Sequence, residues 1–281
     1  MIDLHTHTNA SDGLLAPEDL AARAAAGGVS VLSVTDHDTV AAAHAAGQAC
    51  AARGIAFVPG IEITAIVDGL DVHVLGYFID PASEILGALL ADQRRSRFER
   101  IREIVARLAA RDIALDAEKI LQPAIDDPGK APGRPWVARA LVAARHVANS
   151  DEAFARWLKY GAPGFVPRIG ISPAGVVARI HAAGGIASLA HPGLISHDEW
   201  IPPLALEGLD AIEAYHSDHD QATTARYLAM ASKLGVAVTG GSDYHGDHLH
   251  GSGGPGSVSL PRDRYEALVH LAGSRRLRAK G

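Results

Sequence analysis

Cysteine is almost missing from this chain. The single Cys50 excludes an intramolecular disulfide and points to a reducing, cytoplasmic home. It lies in the helical stretch AAAHAAGQACAAR, where a buried structural thiol is expected rather than a nucleophile. No uninterrupted apolar run approaches the ~18 residues of a membrane-spanning helix, and no basic and apolar leader precedes Ile2, so neither a membrane partner nor a signal peptide is expected. A surplus of positive charge is also lacking. The formal net charge of −6 argues against broad, non-specific nucleic-acid binding, although it leaves room for a local basic pocket. Lysine is scarce as well: Lys119, Lys130, Lys159, Lys233 and Lys280, none at the end of a strand-like run.

Histidine is what the chain has in excess, with fifteen residues. Two of them stand in the opening MIDLHTHTNASDG. Ile2, Asp3 and Leu4 read as a short buried strand, and side chains two apart on a strand face the same side. His5 and His7 can therefore converge on one point, as metal ligands must, or can be an ordinary surface pair. The remaining sequence decides between these. Apolar runs ending in polar residues recur: VSVLSVTDHD with Asp36, His37 and Asp38, FVPGIEIT with Glu62, DVHVLGYF with His73, IASLAHPG with His191, AIEAYHSD with Glu213 and His216, and VAVTGGSDYHG with Asp243 and His245. Helical patterns at 17–28, 39–53, 172–185, 219–235 and 262–273 separate most of them. PEDLAARAAAGG opens on proline and closes on glycine, and SPAGVVARIHAAGG adds a serine cap.

Strands alternating with helices predict βα units and a mostly parallel α/β sheet, with seven strands including the opening one. That is one short of an eight-stranded barrel, and it gathers the strand-end histidines and carboxylates at the carboxyl face where barrel active sites lie. Residues 81–170 break the rhythm with a long charged helix over roughly 83–111, a Pro-, Gly- and Asp-rich loop (IDDPGKAPGRP) and two further helical segments. This stretch is too long for a βα connection. The predicted organisation is a barrel domain of 1–80 and 171–281 with an inserted helical cap subdomain at 81–170. The basic end RRLRAK is expected to fray.

The ordered pattern HTH…D…TDHD…GIE…H…AHP…GSDYH resembles the PHP (polymerase and histidinol phosphatase) family over essentially the whole chain apart from the insertion. The resemblance implies a distorted seven-stranded, TIM-like (β/α)7 barrel that holds three divalent metal ions and hydrolyses phosphate esters. It implies that His5, His7 and Asp243 hold a first metal and that Glu62 bridges to a second completed by His73 and His191. Asp12, His37 and His245 would hold a third, with a turn or helix-cap role as the alternative for Asp12. Imidazole and carboxylate ligands suit Mn²⁺ first, with Fe²⁺ or Zn²⁺ as alternatives. Clustered dications would neutralise a phosphate ester and lower the pKa of a bridging water, so that the bridging hydroxide attacks phosphorus.

Asp36 and His216 are the further catalytic candidates. Asp36 or Asp38 would orient a ligand histidine, or Asp38 would cap the next helix. Asp3 is either a similar support or a solvated strand end. His216 would protonate the leaving group or touch substrate, or is a plain loop histidine. His248 and His250 form another H-x-H, where no second metal centre is expected. For substrate phosphate the candidates are Arg134, because related family members carry a similar G-R-P segment, then Arg139 and Arg97, with Lys159 and Arg168 as further contacts. Arg94, Arg97 and Arg100 share one helix face, whose plain expectation is a solvated surface balanced by Glu99 and Glu103. Trp136, Trp157 and Tyr160 are aromatics for core packing or for stacking a base.

These features predict a phosphatase acting on a small nucleotide, a nucleoside 3′,5′-bisphosphate or AMP-like monoester, with no stable nucleic-acid partner and an open oligomeric state. A 5′–3′ exoribonuclease on short RNA and a histidinol-phosphate phosphatase are the alternatives. An amidohydrolase is disfavoured because no lysine stands at a strand end, and a non-enzymatic module because the ligand set is intact.

Overall fold

The computed structural model of the chain describes residues 1–246 and 253–278, so His248 and His250 lie outside the described residues. Seven strands form one sheet in chain order: β1 (Ile2–Asp3), β2 (Val31–Val34), β3 (Ala56–Val67), β4 (Leu70–Tyr77), β5 (Ile186–Leu189), β6 (Ala211–His216) and β7 (Ala237–Gly241). Past the strand ends the sheet nearly closes on itself. Leu4 N–H donates to Gly240 O at 3.3 Å, His7 N–H donates to Tyr244 O at 2.9 Å, and Thr6 bridges Tyr244. The interior is a continuous apolar cluster that includes Leu4, Ile61, Ile63, Val74, Leu75, Ile186 and Ile212. The architecture is a distorted seven-stranded α/β barrel.

One part of the predicted βα rhythm is corrected. β3 and β4 are not successive parallel strands but the two arms of an antiparallel hairpin, and β4 also pairs antiparallel with β5. The turn is Asp68-Gly69, with φ of 50° and 79°, the two-residue positive-φ connection that Asp-Gly favours. The consequence reaches the site. Since β4 runs backwards, His73 faces the active end from the first half of its strand, opposite Thr64, and Glu62 does so from mid-strand, opposite Leu75. Neither stands at a strand's carboxyl end.

Local chemistry sets the helices. α1 (Pro17–Ala26) begins with Pro17 and the acidic Glu18 and Asp19 in its first turn, where the helix dipole favours them, and stops before Gly28 at φ 77°. α2 (Ala43–Ala51) has no side-chain cap, so Asp38 is not its capping residue. Cys50 of α2 is fully buried, and burial pushes its thiol up to about 11, which leaves it unreactive.

α3 (Glu84–Ala109) starts where the Ser83 hydroxyl accepts from Leu86 N–H. Its buried stripe changes character along its length. Leu86 joins the barrel core, whereas Ile101, Ile104 and Leu108 join a second apolar cluster built with α4 (Ala117–Asp126), α5 (Arg134–Ala143) and the segment 147–166. Between them the same stripe carries Gln93, Arg97 and Arg100, all buried. The arginine face predicted to be solvated therefore lies inside the protein, at the crossover between the two cores. The C-terminal helix, expected to end near 273, continues through Arg262–Arg278. Arg275 donates to Asp210, which also meets His181 Nε2 at 2.7 Å, and residues 279–281, with the end of RRLRAK, lie outside the described residues.

Candidate metal centre

His5 and His7 follow β1 and are fully buried. A side chain on Gly241 would come within 2.3 Å of His5 N, so only glycine lets β7 approach the segment that carries them. Glu62 is the hub of the cluster. Its Oε1 lies 2.8 Å from His73 Nδ1 and 3.0 Å from His191 Nε2. Its Oε2 lies 3.3 Å from His5 Nε2, 3.2 Å from His7 Nε2 and 3.2 Å from His37 Nδ1. The two oxygens thus divide five imidazoles into two sets. Asp243, held at φ 51°, places Oδ1 3.2 Å from His5 Nε2 and 3.1 Å from His7 Nε2. Asp12 stands 3.7 Å from His37 Nε2 and 3.3 Å from His245 Nε2. All nine sequence-predicted ligand residues are brought together.

Ligand atoms within 4.8 Å of one another define groups able to hold a metal: His5, His7, Glu62 and Asp243; His37, Glu62 and His73; His7, Asp12, His37 and His245; and His5, Glu213 and His216. His7 Nε2, His37 Nδ1 and His73 Nδ1 are buried and make no hydrogen bond, although each lies 2.8–3.2 Å from a Glu62 oxygen. Buried lone pairs that crowd a carboxylate without hydrogen-bond geometry suit a shared cation better than one another. The donor set of imidazole and carboxylate fits divalent metal ions.

The electrostatics agree. Burial alone would raise Glu62, Asp12 and Asp243, but the surrounding imidazoles hold all three well below the usual carboxylate range. Burial would lower His7, yet Asp243 and Glu62 hold it at about 10, and Glu213, Asp243 and Glu62 likewise raise His5. His37, where burial wins, is pushed down to about 3. A field that draws protons onto buried imidazoles draws dications equally.

Sequence reasoning named Glu213 in its apolar run but gave it no role in the site. It is fully buried on β6, its Oε1 accepts a hydrogen bond from His5 Nδ1–H at 2.9 Å, and its Oε2 accepts from His191 N–H at 2.7 Å. It fixes the His5 tautomer so that Nε2 faces the cluster, and it holds His191 at a strained φ of 25°. An acid within the apolar run AIEAYHSD was the available signal.

Asp36 is placed differently from its predicted catalytic role. Its oxygens accept from Thr8 N–H at 2.7 Å, Thr8 Oγ1 at 2.6 Å and Ser11 Oγ at 2.7 Å, so it braces the loop before Asp12 rather than a histidine ring. Asp3 is buried, not solvated, and accepts from Ser242 and Gly256. His216 is buried at the end of β6, with Nε2 3.4 Å from Asp243 Oδ2, while Nδ1 accepts from Asp218 N–H at 3.1 Å.

The arginines separate. Arg97 is a correction to the substrate-binding set: Nε and Nη2 donate to Asp38 Oδ2 at 2.8 and 2.5 Å, and Nη1 donates to Pro132 O at 3.0 Å. Arg168 lies 3.6 Å from the same Asp38 oxygen and 3.5 Å from Asp71. Asp71 is also met by Arg134 at 3.4 Å and Arg100 at 3.7 Å. Four guanidiniums thus face two carboxylates, beside His37 and His73 in the chain. Burial and its like-charged neighbours push Arg168 down to about 10 and Arg100 down to about 9. Arg139 is not in this nest. It is exposed and lines a separate cleft of roughly 490 Å³ with Asn9, Ser11, Lys119, Lys130 and Trp136. Trp157 packs against the second apolar cluster, and Tyr160 is exposed against Phe165.

Residues 3–126 match the PHP domain. Over 249 residues the chain is 34% identical to a 3′,5′-nucleoside bisphosphate phosphatase from Chromobacterium violaceum, covering 87% of both chains. The chain belongs to the PHP family. To the 5′-3′ exoribonuclease Rnm of Salmonella typhimurium this PHP protein is 34% identical, covering 86% of its own length and 84% of the relative. A solved structure from Bifidobacterium adolescentis, provisionally described as a metal-dependent phosphoesterase, superposes with a TM-score of 0.86 at 30% identity, covering 95% of this chain and 94% of that one. The PHP chain is thus a metal-dependent phosphoesterase, an enzyme that hydrolyses phosphoric esters, and the buried cluster is its candidate centre. No helix among the described residues is long and apolar enough to cross a membrane.

Proposed function

We propose that this PHP enzyme removes a phosphate from a small nucleotide bearing a second phosphate, a nucleoside 3′,5′-bisphosphate before an AMP-like monoester. The observation that carries this reading is the arginine nest beside the metal centre. A surplus of two positive charges, with Arg97 and Arg100 buried and Arg134 and Arg168 partly so, is costly unless an anion answers it. Arg100 Nη2 and Arg168 Nε and Nη1 are buried there without a hydrogen bond. The centre takes one phosphate, and Arg134, Arg168 and Arg100 take the other. Held together, these two sites select a bisphosphate over a simple ester.

In this reading His5, His7 and Asp243 would hold one metal and His73 and His191 a second, with Glu62 shared between these two sets, and Asp12, His37 and His245 would hold a third, with Mn²⁺ the first choice. When bound, the ions supply charge neutralisation and an acidified water. The chain's own groups do the rest. Glu213 and Asp36 keep ligands and loop in register. His216, whose Nδ1 accepts a backbone N–H, keeps a proton on Nε2 for the departing oxygen. The cap of 81–170 closes the nest over the barrel of 1–80 and 171–281.

A second reading, trimming of short RNA from its 5′ end, is favoured by the cleft with Lys119, Lys130, Arg139 and Trp136, a cationic and aromatic lining of the kind that follows single strands. Chromatography of products from the Mn²⁺-loaded protein given AMP, a 3′,5′-bisphosphate and a 5′-phosphorylated oligoribonucleotide separates the two. Free phosphate, released fastest from the bisphosphate, is expected. Mononucleotides shed from the RNA faster than phosphate from the bisphosphate would overturn the first reading. Arg134→Ala should raise KM about tenfold for the bisphosphate and little for an aryl phosphate, the loss of one charge-assisted contact.

A further inference from the structure

Three hydrogen bonds join the cap segment 129–136 to the two barrel loops that carry Asp12 and His37. Trp136 Nε1–H donates to Ser11 O at 3.2 Å, one residue before Asp12. Ala131 N–H donates to Ala10 O at 2.8 Å. Thr39 Oγ1 donates to Gly129 O at 2.7 Å, two residues after His37. The other ligand residues are held by the barrel itself: Glu62 and His73 lie within paired strands, and His5 and Asp243 are joined backbone to backbone, with Asp243 N–H donating to His5 O at 2.8 Å.

The loop that carries Asp12 is held by turn bonds, with Asn9 N–H donating to Leu15 O at 2.8 Å and Ser11 N–H to Thr8 O at 3.2 Å, rather than by a strand ladder. Residues 8–12 belong to no strand. They are braced from below by Asp36, through Thr8 and Ser11. Above, the Ala10 and Ser11 carbonyl oxygens accept from the cap. The loop is also tight, because a side chain on Gly13 would come within 2.6 Å of His7 O, so it has little freedom to recover a misplaced Asp12 by bending elsewhere. The indole offers one donor and no acceptor, so its bond to Ser11 O has a single direction.

We propose that Trp136 is a positioning residue for the metal group of Asp12, His37 and His245, and that the cap, through its 129–136 segment, completes this one group while the strand-borne groups assemble without it. The inference rests on the metal assignment above and not on the identity of the substrate. The inserted subdomain is then part of the metal centre's construction as well as its cover.

The test is a calorimetric Mn²⁺ titration of the full chain, wild type against Trp136→Phe and Thr39→Val. Trp136→Phe keeps an aromatic ring and removes the donor; Thr39→Val keeps the shape and removes the hydroxyl. Wild type is expected to bind three ions. Each variant is expected to bind two with unchanged affinity and the third at least about tenfold more weakly, within the 10–100-fold typical of groups that orient a ligand. Equal weakening of all three ions, no weakening of any, or fewer than three ions on the wild type overturns the proposal. Should Trp136→Phe fail to fold, Thr39→Val decides alone. Failure of the nucleotide reading shows elsewhere, as a wild type that binds three ions and releases no phosphate from a bisphosphate.

Discussion

Two buried charged clusters meet in this molecule, and they are built from opposite chemistry. The barrel's cluster turns lone pairs inward: Glu62, Asp243 and Asp12 against imidazoles whose Nε2 or Nδ1 atoms crowd the same oxygens. The arginine cluster turns N–H donors inward: Arg97, Arg100, Arg134 and Arg168 around Asp38 and Asp71. The first draws cations and the second draws anions. They touch through chain neighbours, His37 with Asp38 and His73 two residues beyond Asp71. A phosphate ester is itself an anion to be set against cations, and the bisphosphate proposed above as substrate would engage both clusters. The comparison also shows how a like residue is used differently within one cluster. Arg97 is saturated by protein acceptors, whereas Arg100 and Arg168 keep buried donors without hydrogen bonds.

The sharpest way to break this contrast is at its hub. Glu62→Gln removes a charge that faces both imidazole sets, and turnover should fall by about a thousandfold, beyond the 10–100-fold of groups that only orient a ligand. Metal stoichiometry and kcat measured together check it; full occupancy at an unchanged rate would remove Glu62 from the centre. Next comes the saturated arginine. Arg97→Ala leaves Asp38 buried with its closest partner gone, a loss of about 3–5 kcal/mol in stability. Asp38 carries its own pH signature. Burial would raise it, but Arg97 and Arg168 hold it below the usual carboxylate value. A depressed folded value means that the pair's contribution is complete above the unfolded value of ~3.9 and fades as pH falls through the folded one. The stability gap between wild type and Arg97→Ala should therefore be widest near neutral pH and narrow towards pH 3 in chemical denaturation. The smallest effect is expected outside both clusters: Arg139→Ala should change KM for a bisphosphate by less than about threefold, and a larger rise would draw the separate cleft into substrate binding.

Much of the site was legible because metal ligation permits few residue types and each motif kept its own short spacing. His5-x-His7, His37 between two aspartates, Glu62, His191 before a proline and Asp243-x-His245 are local patterns, and all arrive at one place. The Asp68-Gly69 hairpin was equally local, yet the expectation of parallel βα units concealed it, and with it the reversed strand that presents His73. Glu213 left only a faint trace, a single acid in an apolar run, since its partners His5 and His191 lie 208 and 22 residues away.

By itself the sequence determined the residue types that can bind a dication, the alternation of strands and helices, and the existence of a long helical insertion, because each is written in spacings of a few residues. Only the tertiary structure decided which charged groups are buried together. The helical repeat of α3 places Arg94, Arg97 and Arg100 on one face, but whether that face meets water, a carboxylate or a substrate depends on what packs against it. That choice was made by Asp38 from the loop after β2, Asp71 from a reversed strand and Arg168 from the segment that leads back to the helix Pro173–Ala182. Burial then converts their charges from solvated ornaments into interactions that demand partners, because desolvation is costly and is offset only across distances that folding alone sets.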